Sequence, residues 1–257
     1  MSSGLLSSVL LIGGNGQLAR CITKRFSCRG INVYSVIRNR NQVSELKALG
    51  ALPIVQSVED STVSDFVALI KDVKPGVVIW SAGAGAGGAS NARLKRVDNE
   101  GHIKVMDAVA QAAEEANTTR RYITISSLEV RDALNKPVPE WYNEDDRNFS
   151  NWLAPMFKNY FEARLISDRS LVEGNGQRHL DYTILRPGWM SQDRGTGRIG
   201  AGRCRISGQV SREDVTTVLE LCLENDSTIG LAFDIAGGDT PIKEAIENVV
   251  DSFEGYY

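Results

Sequence analysis

Histidine is scarce in this chain, with His102 and His179 the only two, and its four cysteines (Cys21, Cys28, Cys204 and Cys222) include no C-x-x-C pair. Neither shortage leaves material for a dedicated transition-metal site, so none is expected. Four thiols in 257 residues are also too sparse for a disulfide framework, and packing is their expected use. No sign of charge dominates. Lys plus Arg number 29 against 32 for Asp plus Glu, a formal −3, which gives no bulk electrostatic reason for a nucleic-acid or anionic-membrane partner. Any basic site must therefore be local. No stretch approaches the roughly 20 apolar residues of a membrane span, and the opening MSSGLLSSVLLIGG lacks a charged n-region and a long apolar h-region. The expectation is a soluble, cytoplasmic protein with small-molecule ligands. Oligomeric state is not legible.

What is present is alternation. Short β-rich runs (Val9 to Ile12, Ile31 to Ile37, Leu52 to Val55, Gly76 to Trp80, Arg121 to Ser126, Tyr182 to Arg186) alternate with stretches of helical spacing at 16–29, 41–49, 59–73, 92–117 and 153–173. Such alternation predicts an α/β protein with a doubly wound, mainly parallel sheet and helices on both faces. A final strand is expected over Ala232 to Ala236 and a last helix over 241–253.

Two stretches break the pattern. Residues 127–152 mix Pro137, Pro139 and several acids with Trp141, Tyr142, Phe149 and Trp152 without a period, and read as a long loop whose aromatics suit a substrate wall. A solvated acidic insertion is the plainer reading of the same residues. A second loop on the substrate side is expected at about 189–210, with a glycine- and arginine-rich core from Gly195 to Arg205. It precedes a helix capped by Ser211, with Glu213 and Asp214 in its first turn.

The first strand runs into Gly13-Gly14-Asn15-Gly16, and Gly14-x-Gly16-x-x-Ala19 fits the dinucleotide-binding pattern G-x-G-x-x-G/A; Gly13-x-x-Gly16-x-x-Ala19 fits a wider-spaced variant. Glycine permits the tight turn and the approach of a pyrophosphate, and a small third residue lets helix meet strand. The helix N-terminus then turns free N–H groups and a partial positive charge to the phosphates. Leu18, Ile22 and Phe26 form the core stripe of that helix, and Gly30 stands where a C-terminal glycine belongs. The second strand ends in Val36-Ile37-Arg38-Asn39-Arg40, where NAD-binding versions usually carry an acid for the ribose hydroxyls. Guanidinium suits a 2′-phosphate instead, so NADP(H) is favoured over NAD(H). Solvated loop charge is the alternative reading of Arg38 and Arg40.

With these motifs on the page, the chain resembles the atypical short-chain dehydrogenase/reductases, and within them the NmrA-like NAD(P)-binding group that includes flavin/biliverdin-IXβ reductase-like proteins. The carriers, in the family's order, are LLIGGNGQLAR, SVIRNR, VVIWSAGAGAGG, RVDNEGHIKVMDAV, YITISS, LDYTILRPG, GTGRI, VSREDV and FDIAGGDTPIKEAI. The resemblance implies a single NAD(P)-binding Rossmann-type domain over 1–257. It implies that Gly13, Asn15, Gly16, Gln17 and Leu18 meet the pyrophosphate, Arg38 the 2′-phosphate with Arg40 beside it, and Ser81, Ala82 and Gly83 the cofactor's centre. Ser57 and Val58 fall near the adenine, with Ser57 where relatives often carry Asp. Ser126 and Pro187, Gly188 and Trp189 fall by the nicotinamide.

In the wider superfamily a Tyr protonates the substrate carbonyl, aided by a Lys four residues on. Here the match is Tyr160 with Arg164, which share a helix face and would favour tyrosinate, though Arg cannot relay protons. Ser126 or Ser127 would hydrogen-bond the developing oxyanion. Helix packing with Phe157 and Phe161 is the other reading of Tyr160. Arg131, Asp132 and His179 are further polar candidates with a structural reading each.

Three functions follow from different classes. The first is an NADPH-dependent reductase acting on a small carbonyl, quinone or aromatic acceptor. The second is a catalytically silent NADP(H)-binding regulator with a protein partner, motivated by Arg164 in place of Lys. The third is a non-redox enzyme, a cyclase or isomerase, on the same fold.

Overall fold

The computed structural model describes residues 6–85, 88–132, 136–206 and 208–252. Ala86, Gly87, Ala133, Leu134, Asn135, Ser207 and Phe253, which fall in stretches singled out above, lie outside the described residues. The chain packs as two compact units, one of residues 1–124 with 169–182 and the other of 125–168 with 183–257.

The first unit is built around β1 (Ser8–Ile12), every residue of which is buried. That run is uninterruptedly apolar from Val9 because it lies between two parallel neighbours, β2 (Asn32–Ile37) and β4 (Val77–Trp80), with Leu10 beside Tyr34 on one side and Val78 on the other. Between β1 and β2 runs α1 (Gln17–Cys28), which buries Leu18, Ala19, Ile22, Thr23 and Phe26, the expected stripe widened by two small residues. It ends as expected at Gly30: the Gly30 N–H donates to Ser27 O and the Ile31 N–H to Phe26 O, the paired bonds of a Schellman ending.

Beyond β2 lies β3 (Ala51–Val55), the last strand on that side among the described residues, where an edge position tolerates Pro53. The expected helix over 41–49 is shorter, a 3-10 turn at Arg40–Gln42 followed by α2 (Val43–Ala48). The expected start of the next helix moves from 59 to α3 (Val63–Val73), because Thr62 and Asp65 close a reciprocal capping box there. Residues 91–116 form α4 (Asn91–Leu94), a π-helical stretch Lys95–Gly101 and α5 (His102–Ala116), followed by β5 (Arg121–Ile125).

Strand order in this unit is β3-β2-β1-β4-β5. The chain therefore steps outward from β1 to β3, returns through α3, and continues on the other side of β1. Right-handed crossovers then place α1 and α2 on one face and α3 and α5 on the other, and α3 packs on α5. This is the doubly wound Rossmann-type α/β fold, and its order reverses at β1, where such sheets take their ligands.

In the second unit the expected loop over 127–152 is cut short by α6 (Glu144–Met156). The acids that read as a solvated insertion are its first turn: Asn143 accepts from the Asp146 N–H at 3.0 Å and Asp146 accepts from the Asn143 N–H at 3.2 Å. The single helix expected over 153–173 breaks at Phe157 into α6 and α7 (Lys158–Glu173). Three of the loop's aromatics belong to a packed cluster, with Leu128, Tyr142, Leu153, Cys204, Ile206 and Ala236 buried and Trp141, Phe149, Phe157 and Phe161 against them, whereas Trp152 is exposed.

After the short α8 (Asn175–Arg178) come β6 (Asp181–Pro187), β7 (Trp189–Ser191), β8 (Arg198–Gly202), β9 (Gln209–Ser211), α9 (Arg212–Glu224), β10 (Ala232–Pro241) and α10 (Ile242–Ser252). The glycine- and arginine-rich segment is thus partly a strand. β8 runs antiparallel to β10, which in turn pairs in parallel with β6. Side by side in that parallel register, Arg186 and Asp234 form an ion pair at 2.8 Å with both side chains fully buried. Ser211 caps α9 as expected, accepting from the Asp214 N–H at 2.9 Å, and Asp214 also accepts from the N–H groups of Thr196 and Gly197, both at 2.9 Å. Among the described residues no helix is long and apolar enough to cross a membrane, and no group of His, Cys, Asp and Glu gathers as a metal site.

Candidate functional site: a nucleotide cleft

The turn after β1 shows what its glycines are for. Gly13 and Gly14 both donate their N–H to Val36 O, at 3.1 and 3.0 Å, which folds the turn over the end of β2. Gly13 has φ +83°, and a Cβ there would lie 2.5 Å from the Ala82 Cα; a Cβ on Gly14 would lie 2.5 Å from the Ser35 Cβ. These two glycines therefore let the turn lie flat against its own neighbouring strands. Gly16 is different, since a Cβ there would meet nothing closer than 3.5 Å. Its bareness keeps the mouth of α1 open. That N-terminus has no side-chain cap and no acid in its first turn, and the first N–H groups of a helix have no partner within it.

In front of this turn lies a cavity of about 270 Å³ within the first unit. Gly13, Asn15, Gly16, Arg38, Ser57, Val58, Ser81, Ala82 and Gly83 line it, joined by Glu59 and Arg93 among others. Nine of the residues expected from sequence thus share one wall. Leu18 turns its side chain into the core, Gln17 and Arg40 are exposed, and none of the three lines the cavity. Their place is the helix mouth for the first two and the start of the 3-10 turn for Arg40.

Each wall is held by its own bonds. Ser81 N–H donates to Ile12 O at 2.9 Å, and the Ala84 N–H to the buried Asp98 carboxylate at 2.9 Å. Ser57 Oγ accepts from the N–H groups of Glu59 (3.2 Å) and Asp60 (3.4 Å), a turn that presents Glu59 to the cavity. There Glu59 Oε1 takes Arg38 Nη1 at 2.9 Å and Arg93 Nε at 3.4 Å, while Oε2 lies 3.5 Å from Arg96 Nη2. The strand end that lacks an acid in sequence has one in space. Neither Glu59 nor Arg93 carries a local signal, because Glu59 comes to Arg38 from beyond β3 and Arg93 comes to Glu59 from α4.

The remaining expected residues, His179 apart, lie in the second unit. Tyr160 and Arg164 share a face of α7, with the Arg164 guanidinium 5.0 Å from the Tyr160 ring centroid, and Arg164 donates to Ile125 O at 2.6 Å. One turn further on, the buried Asp168 accepts the hydroxyl proton of Ser126. Asp168 is absent from the sequence reading, although its i+8 spacing from Tyr160 marks the same face. The Ser126 N–H donates to Leu185 O (2.7 Å) and Gly188 N–H to Ile235 O (2.8 Å), while Trp189 is largely exposed. Ser127 is half-buried and its carbonyl accepts from Val130 N–H. Arg131 joins a buried polar cluster in which Glu129 accepts from Tyr142 Oη (2.9 Å) and Ser150 Oγ (2.8 Å). His179 ends α8 in the left-handed region, at φ +52°.

Three comparisons bear on this geometry. UPF0659 protein C216.03 of Schizosaccharomyces pombe is 34% identical over 249 residues, 96% of this chain and 97% of its own length. A Bacillus halodurans protein put forward as an NAD-dependent epimerase/dehydratase has a similar structure, with TM-score 0.71 and 27% identity over 94% of this chain and 99% of that one. ChuY, an anaerobillin reductase of Escherichia coli O157:H7, shares the fold at TM-score 0.67 and 19% identity, covering 91% of this chain and 98% of its own. The family model for NAD(P)H-binding proteins matches residues 13–226. With the glycine turn and its cleft inside that span, the chain belongs to the NAD(P)H-binding family of atypical short-chain dehydrogenase/reductase-like proteins.

Proposed function

We propose that this chain is an NADP(H)-dependent reductase acting on a small carbonyl, quinone or aromatic acceptor, in the cytoplasm and with no nucleic-acid or membrane partner. The observation that carries the reading is the cleft: an uncapped helix mouth beside a bare glycine turn, with Arg38 and Arg93 on the rim of the same cavity. That set fits a dinucleotide. Gly13, Asn15, Gly16 and the N–H groups of Gln17 and Leu18 would hold the pyrophosphate, Ser81 to Gly83 the central part, and Ser57 and Val58 the adenine. Arg38 takes the 2′-phosphate, with Arg40 adding charge nearby.

When bound, the nicotinamide supplies hydride. The chain's own part is to orient and to protonate. Ser126 and Pro187 to Trp189 belong to the nicotinamide side by the family resemblance, and Tyr160, held under the Arg164 guanidinium, donates the proton to the acceptor oxygen. The test is NADPH oxidation by the purified protein over a panel of quinones, flavins and aromatic ketones, repeated with Tyr160→Phe and paired with NADPH and NADH titrations of Arg38→Ala. Tight NADPH binding without turnover on the whole panel would count for a silent regulator.

A second reading has an observation of its own. The Bacillus halodurans neighbour is put forward as an epimerase/dehydratase, and Ser126, whose proton is given to Asp168, offers a substrate hydroxyl an acceptor. Isomerisation of a hydroxylated substrate, with no net consumption of cofactor, is the outcome that would favour it.

A further inference from the structure

Beside the arginines of the cleft stands a carboxylate that the cofactor reading does not use. Three guanidiniums, Arg38, Arg93 and Arg96, converge on the single carboxylate of Glu59, whose side chain is only 12% exposed against 56%, 30% and 56% for the three arginines. They come from three places in the chain: the end of β2, α4 and the π-helical stretch. One carboxylate among three guanidiniums leaves a formal surplus of two positive charges, matched to a phosphate dianion. Only the Arg38 contact is short. The other two are longer, at 3.4 and 3.5 Å, and Arg93, whose Nη1 also donates to Ala84 O at 3.2 Å, keeps Nη2 for a second anion.

We propose that Glu59 sets the cofactor discrimination of this cleft, tempering its preference for the 2′-phosphorylated nucleotide and giving it a hold on the unphosphorylated one, while Arg93 acts as a second phosphate-binding guanidinium beside Arg38. This rests on the reading of Arg38 given above. A 2′-phosphate reaching Arg38 meets the Glu59 charge at the place where Arg38 now donates, and like charges oppose each other there. A ribose 2′-hydroxyl meets instead an acceptor, the role that an acid at the end of the second strand fills in NAD-binding folds. Here β2 ends in arginine, and the acid comes from the turn after β3, fixed by the Ser57 hydroxyl. The same carboxylate therefore acts with opposite sign on the two nucleotides.

The experiment is a pair of equilibrium titrations, NADPH and NADH, on the same sample of full-length protein, so that the ratio of affinities is independent of the folded fraction. Glu59→Gln should raise the NADPH-over-NADH ratio on the order of tenfold, through tighter NADPH and weaker NADH binding. Arg93→Gln should lower it several-fold, and Glu59→Asp, which keeps the charge, should lie nearer the wild type than Glu59→Gln. A ratio unchanged or lowered in Glu59→Gln overturns the proposal. Arg38→Ala separates the two readings. If it loses NADPH selectively while Glu59→Gln is flat, the role of Glu59 falls and the phosphate assignment stands; if it weakens both nucleotides equally, both fall.

Discussion

Ser126 gives its hydroxyl proton to Asp168, a carboxylate 1% exposed on the face of α7 that also carries Tyr160 and Arg164. A serine hydroxyl has one proton to give. With that proton committed to Asp168, Ser126 turns lone pairs toward anything else that reaches it, so in the reductase proposed above protonation of an acceptor oxygen is assigned to Tyr160.

Tyr160→Phe should then lower kcat on the order of a hundredfold in the reductive direction, with a much smaller change from Ser126→Ala. Steady-state kinetics on both variants decide the matter: a larger loss in Ser126→Ala would move the proton donor to the serine. Asp168→Ala should lower the melting temperature, since it leaves the buried Ser126 hydroxyl without its acceptor, at about 1–3 kcal/mol.

Gly13→Ala is expected to be severe. The new Cβ would sit 2.5 Å from the Ala82 Cα in a left-handed backbone, so either the turn or the end of β4 must move. A loss of roughly 1–3 kcal/mol in denaturant unfolding should accompany loss of nucleotide binding. Gly16→Ala, whose Cβ would make only ordinary contacts from 3.5 Å outward, should fold normally and reveal the ligand's own need for a bare backbone.

Acid should loosen the start of α3. Asp65 accepts from the Thr62 backbone N–H and then from its hydroxyl, and these bonds hold its carboxyl below the usual range. A depressed folded-state pKa means that the contribution is present above the ordinary aspartate range and is lost as pH falls through the lowered value. Thr62→Ala, which keeps the backbone N–H, should weaken the cap at neutral pH and remove only the hydroxyl's share of this acid dependence in melts taken at successive pH values.

Thiol labelling should separate the cysteines. Cys28 is exposed, whereas Cys204 is buried beside Asp234, and burial first, then that negative charge, push its thiol far up. Iodoacetamide on the native protein should modify Cys28 quickly and leave Cys204 until unfolding, as mass mapping would show.

The parts of this molecule that were legible in sequence are those whose cause is local. The glycine turn, the Leu18, Ile22 and Phe26 stripe, the Schellman ending at Gly30 and the Ser211 cap all depend on residues within a few positions of one another. Glu59 was not legible because its partner Arg38 is 21 residues away and the two meet only once β2 and β3 lie side by side. Asp168 is hidden likewise, its partner Ser126 being 42 residues earlier. β8 was missed because Arg-Ile-Gly-Ala-Gly becomes a strand only against β10, more than 30 residues on. The start of α6 was missed for another reason. Its Asn143 and Asp146 capping box is local, but acids in a first turn and acids in a solvated loop look alike until the helix is seen.

The ion pair between Arg186 and Asp234 has a consequence for how β6 and β10 find each other. Sliding one strand past the other by a single residue would strand a bare cation and a bare anion where water cannot reach them, a penalty of several kcal/mol for each. Every misaligned pairing is therefore made expensive by the same two side chains that satisfy the correct one, whatever the pair contributes to net stability.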